Sequence, residues 1–443
     1  MHKRFDLAKA LFFAAVAVVI FVYGVVVGTY EVFPHHQILF LEKSVVQVVD
    51  EARMLTKTKP TKHLFKARYA GSGVVTRDAS RMAPGLTLVA SFFDGGLELR
   101  LLDAGGAAVN RWPVRLFDLW RNFDHINPPG YDPVTEWNAL LNGSVMLPDG
   151  SVVFNLRGLV KMDRCGSVVW QVARQTHHSV EPAADGGFWV PAARYVVGRS
   201  KHPPVRPPYF EHTILKISAA GTAMREISIL DLLIKNGLRA VLFANNREFN
   251  SNPEHDVIHL NDVEELSESM APAFPQFAAG DLLVSLRQAN MILVVDPRTE
   301  VIKWYQIGPW IQQHDADFQA NGKITVFDNH YDGTEDGSVL GGSRVIEVDP
   351  VTGASRVLYG GVPDQPMYTA VQGDQQILEN GNILITESDS GRVLEVDRQG
   401  RVVWQFVNRY SADEVARVPD ATRYPKSYFV GESWTCDAPA ARN

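Results

Sequence analysis

Residues 381–407, GNILITESDSGRVLEVDRQGRVVWQFV, carry the clearest repeated unit in the chain. Short runs of Val, Ile and Leu are separated by turns that contain glycine or aspartate, and the last run closes on a tryptophan. The stretch predicts a strand after Gly381, a second strand that ends at Asp397, a tight glycine turn and a third strand. Three antiparallel strands joined by short turns are typical of all-β repeat proteins.

The same unit recurs five more times. The other copies lie at 150–172, 280–307 and 322–360 and, more weakly, at 87–114 and 187–230. An additional strand is expected upstream, starting eight residues before the turn glycine, as His314 stands before Gly322. Six units of four antiparallel strands predict an all-β, six-bladed β-propeller. A β-sandwich and a seven-bladed ring with one degraded blade are the alternatives.

The rest of the chain divides around this repeat. We expect an N-terminal membrane anchor or signal sequence at 1–30, a linking or bracing segment at 31–75, the propeller at 76–408 and a C-terminal tail at 409–443. Neither the bracing segment nor the tail fits a blade. They are therefore expected to brace the ring or to complete one blade across the termini.

The N-terminal segment predicts a single membrane-spanning helix. Residues 11–28 contain no charge and are long enough to cross a bilayer. No clear cleavage site precedes Glu31, which favours an uncleaved anchor over a signal peptide. Because Lys3 and Arg4 precede the helix, the N-terminus is expected in the cytoplasm and the propeller outside it. In a Gram-negative bacterium this describes a single-pass inner-membrane protein with a periplasmic propeller.

Composition excludes several classes of protein. The 443 residues contain 43 Lys and Arg against 50 Asp and Glu, a formal charge of −7, so no nucleic-acid partner is expected. Only two cysteines are present, Cys165 and Cys436, which excludes a disulfide scaffold and a multi-cysteine metal site. In an oxidising compartment the pair would fasten the C-terminus to blade two, and two free thiols are the alternative.

Propeller geometry brings distant residues to one rim of the channel. The start of the first strand and the end of the second strand of every blade meet there. Histidines expected at the start of a first strand are His178, His259 and His314. Polar residues expected at the end of a second strand are Arg157, Arg287 and Asn329. One histidine at a rim is usually structural, but three at equivalent positions beside an arginine predict a site.

The remaining histidines fall into two groups. Three histidines lie beside these strand positions and leave the register of the strands uncertain by a residue: His177, His255 and His330. Histidines without such a placement, expected to be structural, are His125, His202 and His212. Insertions at 116–141 and 231–258 enter blades two and four at the same rim. Their aromatic residues Tyr131, Trp137 and Phe243 either contact a flat ligand or only pack.

The residue types at this rim favour chemistry on an anion. Three histidines can hold Zn²⁺ with a water, but the charge of Arg287 disfavours a dication beside it. The chain has no GxxxxGK loop, which disfavours a nucleotide-phosphate donor. An attacking imidazole with an arginine on the anion's oxygens suits transfer of a monoanionic sulfuryl group. We therefore expect no metal and no external cofactor.

Three segments carry a resemblance to a known family. The segments are HLNDVEEL at 259–266, GDLLVSLRQANMILVVDP at 280–297 and WYQIGPWIQQHDADFQANGKITVFDN at 304–329. They resemble the bacterial arylsulfate sulfotransferases, which are PAPS-independent periplasmic enzymes built on a six-bladed propeller. The resemblance implies an aryl sulfate donor, a phenolic acceptor and a sulfohistidine intermediate.

The resemblance also implies roles for individual residues. It places the sulfated histidine at His314 and its partners at His259 and Arg287, with His178 from an earlier blade and His177 as its rival. Substrate-binding residues at the same rim are expected to be Asn329 and Arg157. Two features depart from the family. The interval from His259 to Arg287 is lengthened by 268–280, which we expect to loop out at the opposite rim, and a membrane anchor replaces the usual amino-terminal β-domain.

Two rival functions remain open from the sequence. A non-catalytic, membrane-anchored propeller would bind a protein or carbohydrate partner, as many propellers do. It has no physical need to concentrate histidines and an arginine at one channel mouth. A quinone-cofactor dehydrogenase also has Trp-ended blades, but six blades and the lack of adjacent cysteines disfavour it. The natural donor, the acceptor and the oligomeric state are left open.

Overall fold

The structure is a computed structural model that describes most of the chain. The described residues are 7–30, 32–34, 38, 59–126, 133–197, 201–202, 205, 207–245, 256–431, 434 and 436. They fall into two compact units, Met1–Lys59 and Pro60–Asn443.

Among its described residues, the first unit contains one long helix, Leu7–Tyr30. At 1.5 Å per residue its 24 residues exceed the hydrocarbon thickness of a bilayer. Nearly all its side chains are exposed although they are apolar. The helix is therefore a candidate membrane span, and a signal sequence near an N-terminus has the same length and composition.

The second unit is a ring of six antiparallel sheets, which confirms the all-β, six-bladed propeller. Strands are given from the channel outwards. Blade one consists of Asp420–Tyr424, Leu86–Phe93, Gly96–Leu102 and Ala108–Pro113, and blade two of Ser144–Met146, Val152–Asn155, Leu159–Met162 and Val168–Val172. Blade three consists of Glu181–Pro182, Phe188–Val196, Tyr209–Ile217 and Ala223–Ser228. Blade four consists of Leu260–Glu265, Leu282–Leu286, Met291–Asp296 and Val301–Ile307, and blade five of His314–Phe318, Ile324–Asp328, Arg344–Val348 and Ser355–Gly360. Blade six consists of Asp374–Ile377, Ile383–Glu387, Arg392–Val396 and Val402–Val407.

Both ends of the second unit join the ring. The innermost strand of blade one, Asp420–Tyr424, comes from the C-terminal segment and pairs with Leu86–Phe93. At the other end, Gly73–Arg77 adds a fifth strand outside blade six. A short pair, Leu64–Lys66 with Glu414–Ala416, links the two segments directly. Both terminal segments of this unit therefore contribute strands to the ring.

Tryptophans at the ends of the blades join neighbouring sheets. The indole N–H of Trp112, in the outer strand of blade one, donates to the carbonyl oxygen of Asp163 in blade two (2.9 Å). Trp404 of blade six donates in the same way to Ala104 of blade one (3.0 Å). Both rings are fully buried. A buried indole needs a partner for its N–H, and the turn of the next blade supplies one.

Carboxylates in the channel join neighbouring inner strands. An innermost strand has one unpaired edge, whose N–H groups need acceptors. Asp262 of blade four accepts from the backbone N–H of Ala316 in blade five (2.9 Å). Asp420 of blade one accepts from the backbone N–H of Ser144 in blade two (2.7 Å). The acidic channel is therefore part of the ring's own hydrogen bonding.

Helices are short in this unit. In the part of the unit that the structure describes, the α-helices are Leu116–Leu119, Ile229–Lys235 and Arg239–Asn245. The 3-10 segments are Thr61–His63, Glu136–Asn138, Ala271–Ala273, Arg287–Ala289, Ser388–Ser390 and Lys426–Tyr428. The insertion at 268–280 follows Glu265, at the far end of its strand from His259, as expected. The structure joins Cys165 and Cys436 by a disulfide.

Candidate active site

Three blades bring a histidine each to one mouth of the channel. His259 immediately precedes the first strand of blade four, His314 begins the first strand of blade five, and His178 lies three residues before that of blade three. The ring centroids of His178 and His259 are 5.0 Å apart, and those of His178 and His314 are 5.9 Å apart. The three histidines selected from the repeat therefore form one cluster.

The backbone is strained where these side chains enter the cluster. His178 and His259 have left-handed φ angles of 56° and 52°, and Asp315, next to His314, has 48°. Such angles cost a non-glycine residue about 1 kcal/mol or more and are concentrated at functional sites. The pairing register also shifts between His314 and Ala316. These irregularities turn side chains toward the channel mouth instead of continuing the strand alternation.

Asn329 fixes the protonation pattern of the His314 ring. The amide nitrogen of Asn329 donates to the carbonyl oxygens of Thr369 (2.9 Å) and Gln372 (2.6 Å). Its oxygen must therefore face Nδ1 of His314, at 2.6 Å. An amide oxygen only accepts, so Nδ1 carries the hydrogen. In the neutral ring, Nε2 then holds a free lone pair.

The cluster keeps His314 neutral. Burial, with the positive charge of Arg287 next, lowers the pKa of His314 well below its usual value. Burial followed by the neighbouring His177 does the same to the pKa of His178. Histidines with low pKa values are uncharged at neutral pH. His314 therefore offers a neutral imidazole nitrogen, the form that can act as a nucleophile.

Arg287 provides the positive charge of the site. One of its terminal nitrogens donates to the side-chain oxygen of Gln312 (2.6 Å). Its Nε is buried and has no hydrogen-bond partner in the part of the chain that the structure describes. Burial lowers the pKa of Arg287, but a guanidinium remains protonated at neutral pH. Open donors on a half-buried cation suit an anionic group with several oxygens.

Two residues that the sequence did not select also belong to the cluster. Nε2 of His212 lies 2.8 Å from Oδ1 of Asp256, and Nδ1 of His259 pairs with Oδ2 of the same carboxylate. The sequence predicted a structural role for His212, which occupies a third strand, outside the repeat positions used for selection. The Asp-x-x-His spacing of residues 256–259 is the signal that would have identified Asp256.

Both histidines of the His177–His178 pair lie in the cluster. Their Nδ1 atoms are 2.8 Å apart, so one ring donates to the other. The ring of His177 packs against that of His212, with centroids 5.1 Å apart. His178, by contrast, lies between His259 and His314. It is therefore the member of the pair that contacts the His314 ring.

Other expected residues lie at the edge of the cluster or away from it. The carbonyl oxygen of Arg157 pairs with Nε2 of His125 (2.6 Å) at the matching end of blade two. His330 pairs with the carbonyl oxygen of Gly342 (3.1 Å). Of the aromatic residues of the insertions, Trp137 packs on Phe92 and Phe243 is exposed. Nε2 of His202 lies 3.6 Å from a carboxylate oxygen of Glu211. Tyr131 and His255 are outside the described residues.

A cavity of about 230 Å³ opens below the histidines along the channel. His178 and His314 are among the residues that line it. Carboxyl groups that line it include Glu181, Asp262, Glu264, Asp317 and Asp374. Burial raises the pKa of each, to about 6 for Asp262. Protonation reduces the negative charge that an anionic substrate meets at this end of the channel.

Two groups of side chains have the spacing of a cation site. The donor atoms of His212, Asp256 and His259 lie within 4.8 Å of one another, as do those of His202, Glu211 and Asp231. In the first group the carboxylate already accepts from both imidazoles. In the second, Glu211 also pairs with Arg194 (3.3 Å). Hydrogen bonds and ion pairs therefore account for both arrangements without an ion.

The sequence comparison decides the family. A family model described as arylsulfotransferase (ASST) matches residues 143–409, which is more than half of the chain. The chain belongs to the arylsulfotransferase family. The matched range contains every member of the histidine cluster together with Arg287, Asn329 and Asp256. Membership of this arylsulfotransferase family supports a sulfotransferase-like function and small-molecule substrates.

No curated protein sequence matches the chain. Among solved structures, a protein of unknown function from Bacteroides caccae is similar with 14% identity and a TM-score of 0.45, covering 73% of this chain and 94% of that one. TolB from Acinetobacter baumannii is similar with 10% identity and a TM-score of 0.44, covering 79% and 69%. A virginiamycin B lyase from Staphylococcus aureus has 9% identity and a TM-score of 0.36, covering 65% and 84%. Similarity at these identities and TM-scores does not indicate a function for this chain.

Proposed function

We propose that this arylsulfotransferase transfers a sulfuryl group from an aryl sulfate to a phenol, with His314 as the nucleophile. The observation that carries the proposal is the state of the His314 ring. Its Nδ1 is occupied by Asn329, which leaves the lone pair of the neutral ring on Nε2, and burial with the positive charge of Arg287 lowers its pKa. A neutral imidazole nitrogen next to an open guanidinium matches an attack on an anionic sulfur centre.

In the first half-reaction, Nε2 of His314 attacks sulfur. The N–S bond forms while the S–O bond to the aryl group breaks, and the electron pair leaves on the phenolate oxygen. His259 or His178 protonates that oxygen. Arg287 holds the sulfuryl oxygens through a loose transition state, as positive groups do in phosphoryl transfer. The products are a phenol and a sulfohistidine.

In the second half-reaction, the acceptor phenol reverses these changes. Its hydroxyl proton passes to the imidazole that became neutral, and its oxygen attacks sulfur as the N–S bond breaks. The lone pair returns to Nε2 of His314, so the site is restored without an external cofactor. We assign Asn329 to holding the His314 tautomer, because its amide oxygen and nitrogen are both occupied and cannot also bind sulfuryl oxygens. Arg157 stays a proposed substrate-binding residue at the rim.

We further propose that the protein is anchored in a bacterial inner membrane with the propeller in the periplasm. The candidate span Leu7–Tyr30 follows Lys3 and Arg4, so the positive-inside rule supports a cytoplasmic N-terminus. The disulfide between Cys165 and Cys436 supports an oxidising compartment for the propeller. Small-molecule phenols and aryl sulfates are accessible there.

The test uses the full chain in detergent with a chromogenic aryl sulfate, with and without phenol. Peptide mass analysis at alkaline pH should find the sulfuryl mass on the peptide that contains His314, and phenol should increase turnover. His314→Ala should abolish both adduct and release. The matched control is His330→Ala, which removes a nearby histidine bonded to Gly342 and should retain the adduct.

The opposite outcome would favour the binding-platform function. If the wild-type chain released no phenol and formed no adduct across several aryl sulfates, the proposed reaction would be wrong. If His314→Ala turned over at the wild-type rate, the reaction class would stand but the nucleophile would be another residue.

A further inference from the structure

Asp256 occupies an unusual position between two imidazole rings. Its Oδ1 lies 2.8 Å from Nε2 of His212 and accepts from the backbone N–H of His259 at 3.1 Å. Its Oδ2 pairs with Nδ1 of His259. The carboxylate is largely buried, so these contacts are its immediate surroundings. Both oxygens are thereby committed to histidines.

The charge state of Asp256 sets the hydrogens on both rings. Burial alone would raise the pKa of Asp256, but the two histidines and their hydrogen bonds hold it well below its usual value. An ionised carboxylate can only accept hydrogen bonds. The facing nitrogens, Nε2 of His212 and Nδ1 of His259, must therefore carry hydrogens. For His259 this leaves Nε2 as the nitrogen available to the substrate.

We infer that Asp256 is a positioning residue that makes His259 the general acid and base of the transfer; this rests on the proposed function. Asp256 holds the Nδ1 hydrogen of His259 through both half-reactions, so protons move only at Nε2. In the first, the Nε2 proton of the His259 imidazolium passes to the departing phenolate oxygen as the S–O bond breaks. In the second, Nε2 takes the acceptor's hydroxyl proton as the new S–O bond forms and the N–S bond breaks.

His212 completes the arrangement by holding the carboxylate in place. Because it donates to Oδ1 while His259 pairs with Oδ2, the carboxylate cannot rotate without losing a hydrogen bond. The His212 ring is itself buried and packs on His177, with centroids 5.1 Å apart. Asp256 is therefore held at Oδ1 by a ring that is itself fixed by packing. This gives His212 a function that its position in a third strand does not suggest.

The choice between His259 and His178 as acid also follows. Among the described residues His178 has no carboxylate partner, and its Nδ1 is shared with His177. Burial and neighbouring histidines lower the pKa of His178 well below its usual value, so its ring is neutral at neutral pH and has no proton to give as an acid. His259 has the partner that stabilises an imidazolium. Other titratable groups near the His259 ring are His177, His178, His212 and His314, and Arg287 interacts electrostatically with Asp256.

The experiment compares leaving groups in the Asp256→Asn variant of the full chain. Asparagine keeps the size of the side chain but lacks the charge that stabilises the imidazolium. A nitro-substituted phenolate leaves without much help from an acid, whereas an unsubstituted phenolate needs protonation. We expect the rate of His314 sulfation to fall by less than about tenfold with 4-nitrophenyl sulfate and by about 10²-fold to 10³-fold with phenyl sulfate. Asp256→Glu should recover part of the phenyl sulfate rate.

A matched control separates this from general loss of structure. Asp281 is also a buried aspartate of blade four, bonded to Lys303 at the end of the blade opposite His259. Asp281→Asn should lower the rate for both donors equally, if at all. An equal loss for both donors in Asp256→Asn would overturn the inference. So would loss of wild-type turnover on dialysis against a chelator with recovery on adding Zn²⁺, because the three groups would then hold a metal.

The inference and the proposed function fail in different ways. Absence of any adduct in the wild-type chain would remove the proposed function itself. The wild-type chain could form the adduct on His314 while Asp256→Asn leaves the dependence of the rate on the leaving group unchanged. That result would contradict only the role of Asp256.

Discussion

Asn329 decides which nitrogen of His314 carries a hydrogen, although it does not face the open end of the ring. Asn329→Ala removes the acceptor on Nδ1, so the His314 ring becomes free to place its hydrogen on Nε2. The fraction of ring with the reactive lone pair then falls. We expect the rate of His314 sulfation to drop by about 10²-fold to 10⁴-fold, as for other histidines that lose the group fixing their tautomer.

Single-turnover sulfation followed by mass spectrometry measures this effect. The control is Asn408→Ala, which removes another buried amide that donates to the backbone, at Phe92 (3.0 Å). Both variants lose buried hydrogen bonds and should lose similar stability. If they also lost the same fraction of the sulfation rate, Asn329 would be structural only.

The repeat predicted which histidines meet at the channel mouth but not which contacts they make. Equivalent strand positions identified His178, His259 and His314 because propeller symmetry converts sequence register into position at the rim. The same reasoning missed His212, which reaches the cluster from a third strand, and Asp256, which precedes the strand. It also predicted that Asn329 binds the substrate. The contacts of its amide nitrogen with Thr369 and Gln372 show that this side chain is already fully hydrogen-bonded, and they could not be inferred from the sequence.

At the level of the strands, the acidic channel links stability to pH. Asp262 joins blade four to blade five through the N–H of Ala316, and burial raises its pKa to about 6. A carboxyl group whose pKa is higher in the folded state binds its proton more tightly there. Its contribution to stability is complete below the unfolded-state pKa and is lost as pH rises through about 6.

Asp262→Asn should remove this dependence, because asparagine keeps an oxygen for Ala316 but does not ionise. Relative to wild type, the variant should gain unfolding free energy between pH 4 and pH 7, up to about 3 kcal/mol for a shift of roughly two pKa units. Thermal unfolding of the full chain at several pH values measures the difference. The control Asp349→Asn changes a partly exposed carboxylate whose pKa is lowered to about 2, so it should not alter the slope above about pH 5. Parallel slopes for wild type and Asp262→Asn would contradict the assignment.

The strands themselves were predictable from local signals, while the closure of the ring was not. Glycine turns and apolar runs set the six units because each blade has the same internal hydrogen bonding. The segment 420–424 carries no turn pattern of its own and becomes a strand only because blade one lacks an inner partner. Pairing across more than 300 residues leaves no local trace in the sequence.

For the whole propeller, the disulfide supports this closure. Cys165 lies in a turn of blade two, and Cys436 follows the strand Asp420–Tyr424 that completes blade one. The bond spans 271 residues of sequence, so it restricts the unfolded chain strongly and ties the closing segment to the ring. Burial of Tyr424 and the pairing of its strand depend on the same segment. The disulfide therefore stabilises the part of the fold that local sequence specifies least.

We expect reduction, or the double substitution Cys165→Ser and Cys436→Ser, to lower the unfolding free energy by about 2–4 kcal/mol. The thermal midpoint should fall, and the reduced wild type and the double variant should coincide because they lack the same bond. Alkylation of intact cells before lysis should find both thiols protected if the propeller is exported. Quantitative alkylation in cells would place the propeller in a reducing compartment, and an unchanged midpoint after reduction would show that the inner strand of blade one closes the ring without the covalent link.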